Sequence, residues 1–589
     1  MNLLSDLHHA LLTILTDLQK ENLLPTPCDF SKVTLEFPRE ESHGDIATNA
    51  ALVLSKAASL SPLALGEHIK KGLLRLPSVA SVTLVKPGFI NINFSPDFWQ
   101  SILKKILKAG SSYGNSTIGK GKTANVEYVS VNPTGPMHAG HGRVAVVGDV
   151  LAALLEKTGF QVIREYYIND AGGQTDTLTR SVYLRYLEAL GEPIQTIPEG
   201  LYPGDYLIPV GQALAQLYGN SYQNKPESEW LETFRVFSVN AMMDLIKQDL
   251  AQLGIHHNVF TSENELVQKG AVEEMIHILK KHNLIYTGIL EAPKGKPSED
   301  WEPRPQLLFK STLFGDDMDR PLQKSDGSWT YFAKDIACHY DKFKRTQGFL
   351  YNVWGADHAG YVKRVKAAVE AISQGKTQVE VILCQIVHLM ENGLSIRMSK
   401  RAGAFITLKD VIETVGKDAF RLMMLMRKSD ASLEFDFAKV LDASSDNPVF
   451  YIHYAHARIH SVKKQALESF PNLNLTSETL LNADLSFLQD PSELILIRML
   501  ASWPRQIELA ASALEPHRIG FFLHALAAQL HSLWQKGKEN TALRFIDSTS
   551  LEKTRARLAL LTALAHVLAS GLHLLGVEAR HEMRAETHE

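Results

Sequence analysis

Cysteine is scarce in this chain: three in 589 residues, Cys28, Cys338 and Cys384, far apart and without the paired spacing of a zinc site or a disulfide framework. A reducing, cytoplasmic setting and no structural zinc are the expectation. No run of about 18 apolar residues occurs. Met1-Asn2-Leu3-Leu4-Ser5-Asp6-Leu7 carries no basic segment leading into an apolar core, so neither a membrane span nor a secretory signal is indicated. Charge of one sign is missing as well: 61 Lys and Arg against 65 Asp and Glu leave a net charge of -4 and a pI of about 6.7. That balance excludes the broad basic footprint of a simple nucleic-acid-binding domain. No sustained heptad seam is present, and a monomer is expected.

What is present begins with His138-Ala139-Gly140-His141. Upstream, Val126 to Val131 is a short β-rich run, and Asn132-Pro133-Thr134-Gly135-Pro136 is dense in breakers. Downstream, Val144, Val147, Leu151, Leu154 and Leu155 recur at helical spacing until Gly159, and Gln161 to Ile168 reads as a second strand. Strand, tight turn, helix and strand make a parallel βαβ unit, and nucleotides bind where its strands end. The two histidines fall at that helix N-terminus, with Gly140 letting phosphate approach the backbone. Much further on, Arg397-Met398-Ser399-Lys400-Arg401 is a basic loop before Gly403, and a Lys there is a compact charge suited to a transferring phosphate.

The pair resembles the "HIGH" and "KMSK" signatures of class I aminoacyl-tRNA synthetases. Val126-Glu127-Tyr128-Val129-Ser130-Val131-Asn132-Pro133-Thr134-Gly135-Pro136 and Glu165-Tyr166-Tyr167-Ile168-Asn169-Asp170-Ala171-Gly172 are similar to bacterial arginyl-tRNA synthetases. So are Lys324 to Ala337, Gly355-Ala356-Asp357-His358 and Tyr454-Ala455-His456-Ala457-Arg458. Arg397 departs from the usual first lysine of the loop; Lys400 is kept.

The resemblance implies an α/β Rossmann-like catalytic domain with a helical insertion, an N-terminal α+β domain and a C-terminal all-α anticodon-binding bundle. It implies that L-arginine is activated by ATP with Mg²⁺ and passed to the terminal 2'-hydroxyl of an arginine tRNA, and that activation usually waits for the tRNA. His138, His141 and Lys400 would be catalytic, and Gly140, Gly355, Asp357, His358, Met398 and Ser399 would join them around ATP. Glu127, Ser130, Asn132, His141, Tyr331 and Asp335 would hold arginine.

Ser130 and Asn132 are two apart and would share a strand face, whereas Glu127 would need a bulge or strong twist to join them. Tyr331 could equally be an ordinary strand aromatic, and Asp335 could cap the following helix. Asp357 and His358 could belong to an ordinary turn. Tyr451, Tyr454, His456 and Arg458 are the expected RNA contacts, although at least one tyrosine should be core in so apolar a helix. Residues 451–589 hold 14 basic and 14 acidic side chains, so recognition there would rest on a few placed contacts and stacked bases.

Five segments follow: 1–110, an α+β region with helices Leu3–Gln19 and Ala47–Ala58; 120–174, the first catalytic half; 175–306, a mainly helical insertion with helices at Pro226–Leu253 and Val267–His282; 307–446, the second half; and 447–589, the bundle. A small-molecule nucleotidyltransferase also uses a His-x-Gly-His turn but would not explain the bundle. A non-catalytic relative would show erosion of His138, His141 or Lys400, and none is eroded.

Overall fold

Serine followed by proline opens two helices near the start of the chain. The Ser61 and Ser95 hydroxyls accept backbone N–H bonds at the helix ends, and Pro62 and Pro96 take the first helical turn, where an N–H would have no partner anyway. These helices, Pro62–Leu73 and Pro96–Ala109, accompany an antiparallel sheet of β1 (Leu35–Glu36), β2 (Ile46–Thr48), β3 (Val79–Val85) and β4 (Phe89–Phe94) in the order β1-β2-β4-β3. The helix expected over Ala47–Ala58 starts only at Ala50. Ile46 to Thr48 instead pairs with β4, as β-branched residues favour.

The computed structural model describes residues 3–38, 40–194, 196–290, 304–396, 406–444 and 446–583. They divide into two compact units. The first joins the chain's two ends, Met1–Ile118 with Ala443–Ala513 and Arg518–Glu589. In it, helix Pro96–Ala109 buries Trp99, Ile102, Leu103, Ile106 and Leu107 and packs on helices Pro491–Ser512 and Leu551–Leu574. The Tyr113 hydroxyl donates to the Leu500 carbonyl at 3.2 Å, and Arg498 meets Asp45 at 3.1 Å. Leu551–Leu574 is long and apolar enough by composition to cross a membrane, but 78% of its most apolar window is buried, which marks a core helix.

The second unit, Gly119–Asp442 with Leu514–His517, is built on a five-stranded parallel sheet. Its first three strands are β5 (Thr123–Glu127), β6 (Gln161–Ile168) and β7 (Val259–Ser262). After the small antiparallel sheet of β8 (Ile285–Gly288), β9 (Gln306–Phe309) and β10 (Arg320–Pro321) come β11 (Phe349–Gly355) and β12 (Val379–Cys384). The parallel order is β12-β11-β5-β6-β7. Helix Ala139–Lys157 connects β5 to β6, the βαβ unit read from the sequence.

Two expectations need correction here. The segment 175–306 is mainly helical, but it also supplies β7, the edge strand of the catalytic sheet, because Val259–Ser262 pairs with Glu165–Ile168. The helix expected over Val267–His282 is two, Glu263–Gln268 and Ala271–Lys281, separated at Gly270, whose φ of +76° lies in the left-handed region.

Candidate active site

His138 caps helix Ala139–Lys157, and the two histidines bind each other's backbone reciprocally. The Nδ1 of His138 accepts from the His141 N–H at 3.3 Å, and the Nδ1 of His141 accepts from the His138 N–H at 3.4 Å. Nitrogens that accept carry no proton, so in the neutral rings Nε2 is the donor of each imidazole. The rings stack 3.5 Å apart. A Cβ on Gly140 would lie 3.0 Å from the His138 ring, so glycine makes room for the stack as well as for an approaching anion.

This helix also fastens the chain on either side of 397–405. Arg143, fully buried, donates to the carbonyls of Gln385 (2.9 Å), Ala431 (2.8 Å) and Lys428 (2.9 Å), and the Leu408 N–H donates to the Met137 carbonyl at 2.8 Å. Arg397, Met398, Ser399, Lys400 and Arg401 themselves lie outside the described residues.

Between β5 and the histidines the backbone departs from a strand. β5 ends at Glu127, and Val129 and Ser130 adopt φ of +72° and +41°. A β-branched residue in that region is held against its preference by its surroundings. The expectation that Ser130 and Asn132 share a strand face therefore fails: the strand has ended before either. The Ser130 hydroxyl accepts from the Tyr167 N–H at 3.0 Å, and the Asn132 amide donates to Gln174 at 2.7 Å. The Tyr166 and Tyr206 hydroxyls hold the carbonyls of Val131 (2.7 Å) and Thr134 (2.9 Å).

Tyr331 opens helix Tyr331–Thr346, which removes the strand reading, and Thr330 is its cap, which removes the capping reading of Asp335. Four apart, Tyr331 and Asp335 share a helix face. Tyr331 is half exposed, flanked by the Lys324 and Lys334 ammonium groups, and its hydroxyl lies against Gly172 just beyond β6. Asp335 accepts from the Tyr361 hydroxyl. Burial, reinforced by the nearby Glu263 and Glu127 carboxylates, pushes its carboxyl up to about 7.

Glu263, the residue after β7, is buried and accepts from Lys334 (2.8 Å) and the Tyr167 hydroxyl (3.0 Å). Glu127 pairs with the buried Lys342, and its register partner Glu165 pairs with Arg345 at 2.8 Å. Burial pulls the Lys342 ammonium toward losing its proton, but Glu127 and Glu165 outweigh this and hold it charged. Glu263, Lys342 and Tyr361 were not singled out from the sequence. The available signal was an acidic residue at the carboxyl end of a short β-branched strand, hidden because that strand lay within an otherwise helical segment.

Gly355-Ala356-Asp357-His358 does lie at the carboxyl end of β11 and runs into a short helical turn. Asp357 and His358 are exposed and pair at 3.5 Å, and a Cβ on Gly355 would strike the Asp357 carboxylate. In the first unit, Arg458 is layered between Tyr454 and Trp534, 4.3 Å from each ring, and Tyr451 faces His531 at 4.5 Å. Neither tyrosine is fully buried. His456 is the core member of the set: 2% exposed, with its Nδ1 bonded to the Arg580 carbonyl at 2.8 Å. It is thereby withdrawn from the expected RNA contacts.

Residues 102–462 match the family described as tRNA synthetases class I (R), catalytic domain. A relative called arginine-tRNA ligase from Parvibaculum lavamentivorans is 53% identical over 97% of this chain and 98% of its own. The chain belongs to the arginine-tRNA ligases. Another, from Rhodospirillum rubrum, is 50% identical over 99% of this chain and 100% of its own. Residues 5–94 match the arginyl tRNA synthetase N terminal domain, and 452–583 the DALR anticodon binding domain. The Thermus thermophilus arginyl-tRNA synthetase structure shares the fold with a TM-score of 0.73 at 20% identity, over 99% of this chain and 100% of that one. The enzyme is thus a class I synthetase that charges arginine tRNA, with arginine, ATP and tRNA as substrates.

Proposed function

We propose that the helix Ala139–Lys157 N-terminus binds the ATP triphosphate while Tyr331, Asp335 and Glu263 receive the guanidinium of arginine. One observation carries this reading: two carboxyls, the half-buried Asp335 and the buried Glu263, gathered at the carboxyl end of the same sheet whose β5 turn presents the two histidines. A guanidinium needs planar acceptors, and its positive charge compensates the ionised Asp335 carboxylate, Lys334 already serving Glu263.

The arginine carboxylate is ionised at neutral pH, so no strong base is required. A carboxylate oxygen attacks the α-phosphorus and bonds to it, and the bond from that phosphorus to the oxygen bridging the β-phosphate breaks as pyrophosphate leaves. Catalysis is then positioning and charge stabilisation. His138 and His141 donate from Nε2, Gly140 leaves the helix end open to phosphate, and Lys400 neutralises the departing phosphates with Met398 and Ser399 beside it. The imidazole donors and helix N–H groups suit phosphate oxygens rather than a cation, so Mg²⁺ would be held by ATP itself and would supply charge neutralisation there. Glu127, Ser130 and Asn132 serve the α-amino and carboxylate groups, and Gly355, Asp357 and His358 the nucleoside. The arginyl group then passes to the tRNA terminal 2'-hydroxyl.

Regions 1–110 and 447–589 contact the tRNA, with Tyr451, Tyr454 and Arg458 offering rings and a layered guanidinium for base stacking. The reading extends to a cytoplasmic monomer, supported by free cysteines and the lack of a heptad seam.

Aminoacylation and pyrophosphate exchange with arginine, each with and without tRNA, test this. Charging of arginine tRNA should fall by at least about 100-fold in His141→Ala and Lys400→Ala. Retention of wild-type rates in both variants would overturn the assignment.

A further inference from the structure

The Asp335 carboxyl lies within electrostatic reach of groups from several elements. Glu127 comes from β5, Tyr167 from β6, Glu263 from the end of β7, and Cys338 and Lys342 from its own helix. From the turn that follows β11, the Tyr361 hydroxyl donates to a carboxyl oxygen, Oδ2. Tyr361 is itself held on several sides. Phe332 meets its ring edge-on at 6.0 Å, Trp354 lies 6.3 Å away, and the Arg364 guanidinium stands 4.8 Å over the face. Both Tyr361 and Arg364 belong to the segment that follows Gly355-Ala356-Asp357-His358, so the element expected beside the nucleoside also reaches back to the arginine pocket.

We propose that Tyr361 is a positioning residue for arginine, its hydroxyl fixing Oδ2 of Asp335 so that Oδ1 is presented to the guanidinium. The inference rests on the assignment of Asp335 to the arginine pocket. A carboxyl among carboxylates tends to keep its proton, and a protonated acid is a poor partner for a guanidinium. An O–H donated to the ionised form favours that form, and it also stops the two oxygens from rotating between partners. When arginine enters, any proton left on Asp335 departs to solvent, and the guanidinium replaces it as the compensating charge. Tyr361 contributes orientation and charge state without touching the reacting atoms.

Tyr361→Phe in the full-length enzyme keeps the ring and removes the donor. Aminoacylation with arginine tRNA, followed from pH 6 to 9, should show a KM for arginine raised about tenfold, as loss of a hydrogen bond to a charged group predicts. The KM for ATP and kcat at saturating arginine should stay within about twofold, because neither depends on Asp335 orientation. The acid limb of kcat/KM for arginine should move up by roughly one pH unit. An unshifted acid limb with an unchanged KM for arginine would overturn the proposal, since mere ring packing survives in Phe. Equal loss for arginine and ATP would also overturn it, as general damage to the site.

Asp335→Asn run in parallel separates the two levels of the argument. If that variant leaves the KM for arginine unchanged, the pocket assignment fails and this inference falls with it. If it raises the KM while Tyr361→Phe does not, only the role of Tyr361 is lost. Both variants should give cooperative melting curves, which establishes that each is folded when assayed.

Discussion

Asp335 shows how a single side chain trades stability for recognition. An unfolded chain releases this proton near pH 4, whereas the folded enzyme holds it to about 7. Between those values the folded state binds more protons, so its stability falls as pH rises, by at most about 1.4 kcal/mol for each unit of separation. Asp335→Asn substitutes a group that never ionises. Its melting temperature should exceed wild type by more at pH 8 than at pH 5.5, read by differential scanning calorimetry on the enzyme without arginine. An equal difference at both pH values would show that the Asp335 carboxyl carries no such cost. Tyr361, Glu263 and Lys342 were illegible for the same reason: their importance comes from proximity to Asp335, from which they stand 26, 72 and 7 residues away in sequence.

At the scale of elements, helix Ala139–Lys157 is the structural hub of the catalytic unit. Its approach to the sheet is set by glycine. A Cβ at Gly148 would overlap the Cβ and Cγ of the fully buried Tyr128, atoms too near the backbone to swing aside. Gly148→Ala should cost about 1–3 kcal/mol by overpacking, seen as a lowered melting transition, even though alanine is the better helix former. An unchanged or higher transition would mean that the helix shifts freely on the sheet. The helix, its start and its stop were legible, because apolar spacing, a breaker-rich turn and Gly159 all agree. The end of β5 was not. Val129 and Ser130 read as strand by composition, whereas their left-handed backbone lies where the Tyr167 N–H bonds the Ser130 hydroxyl and the Tyr166 hydroxyl bonds the Val131 carbonyl, contacts from β6.

Across the whole molecule, the two ends of the chain make one compact unit with a shared core. Truncation after Asp442 removes the helices that cover Trp99, Ile102, Leu103, Ile106 and Leu107, leaving helix Pro96–Ala109 with an uncovered apolar face. Residues 3–109 of such a fragment should lose amide protection in hydrogen exchange; protection equal to that of the intact enzyme would show that the N-terminal region folds alone.

Local pattern was enough to determine the parallel βαβ unit, with His138 and His141 at its helix N-terminus, and the helical character of the C-terminal region, because these follow from periodicities and breakers that neighbouring residues supply. Only the tertiary structure decided that β7 completes the catalytic sheet, that His456 is core, that Asp335 faces Glu263 and Tyr361, and that the two ends of the chain pack together. Each of these depends on burial and on charges brought close from distant positions, quantities that no stretch of sequence carries by itself.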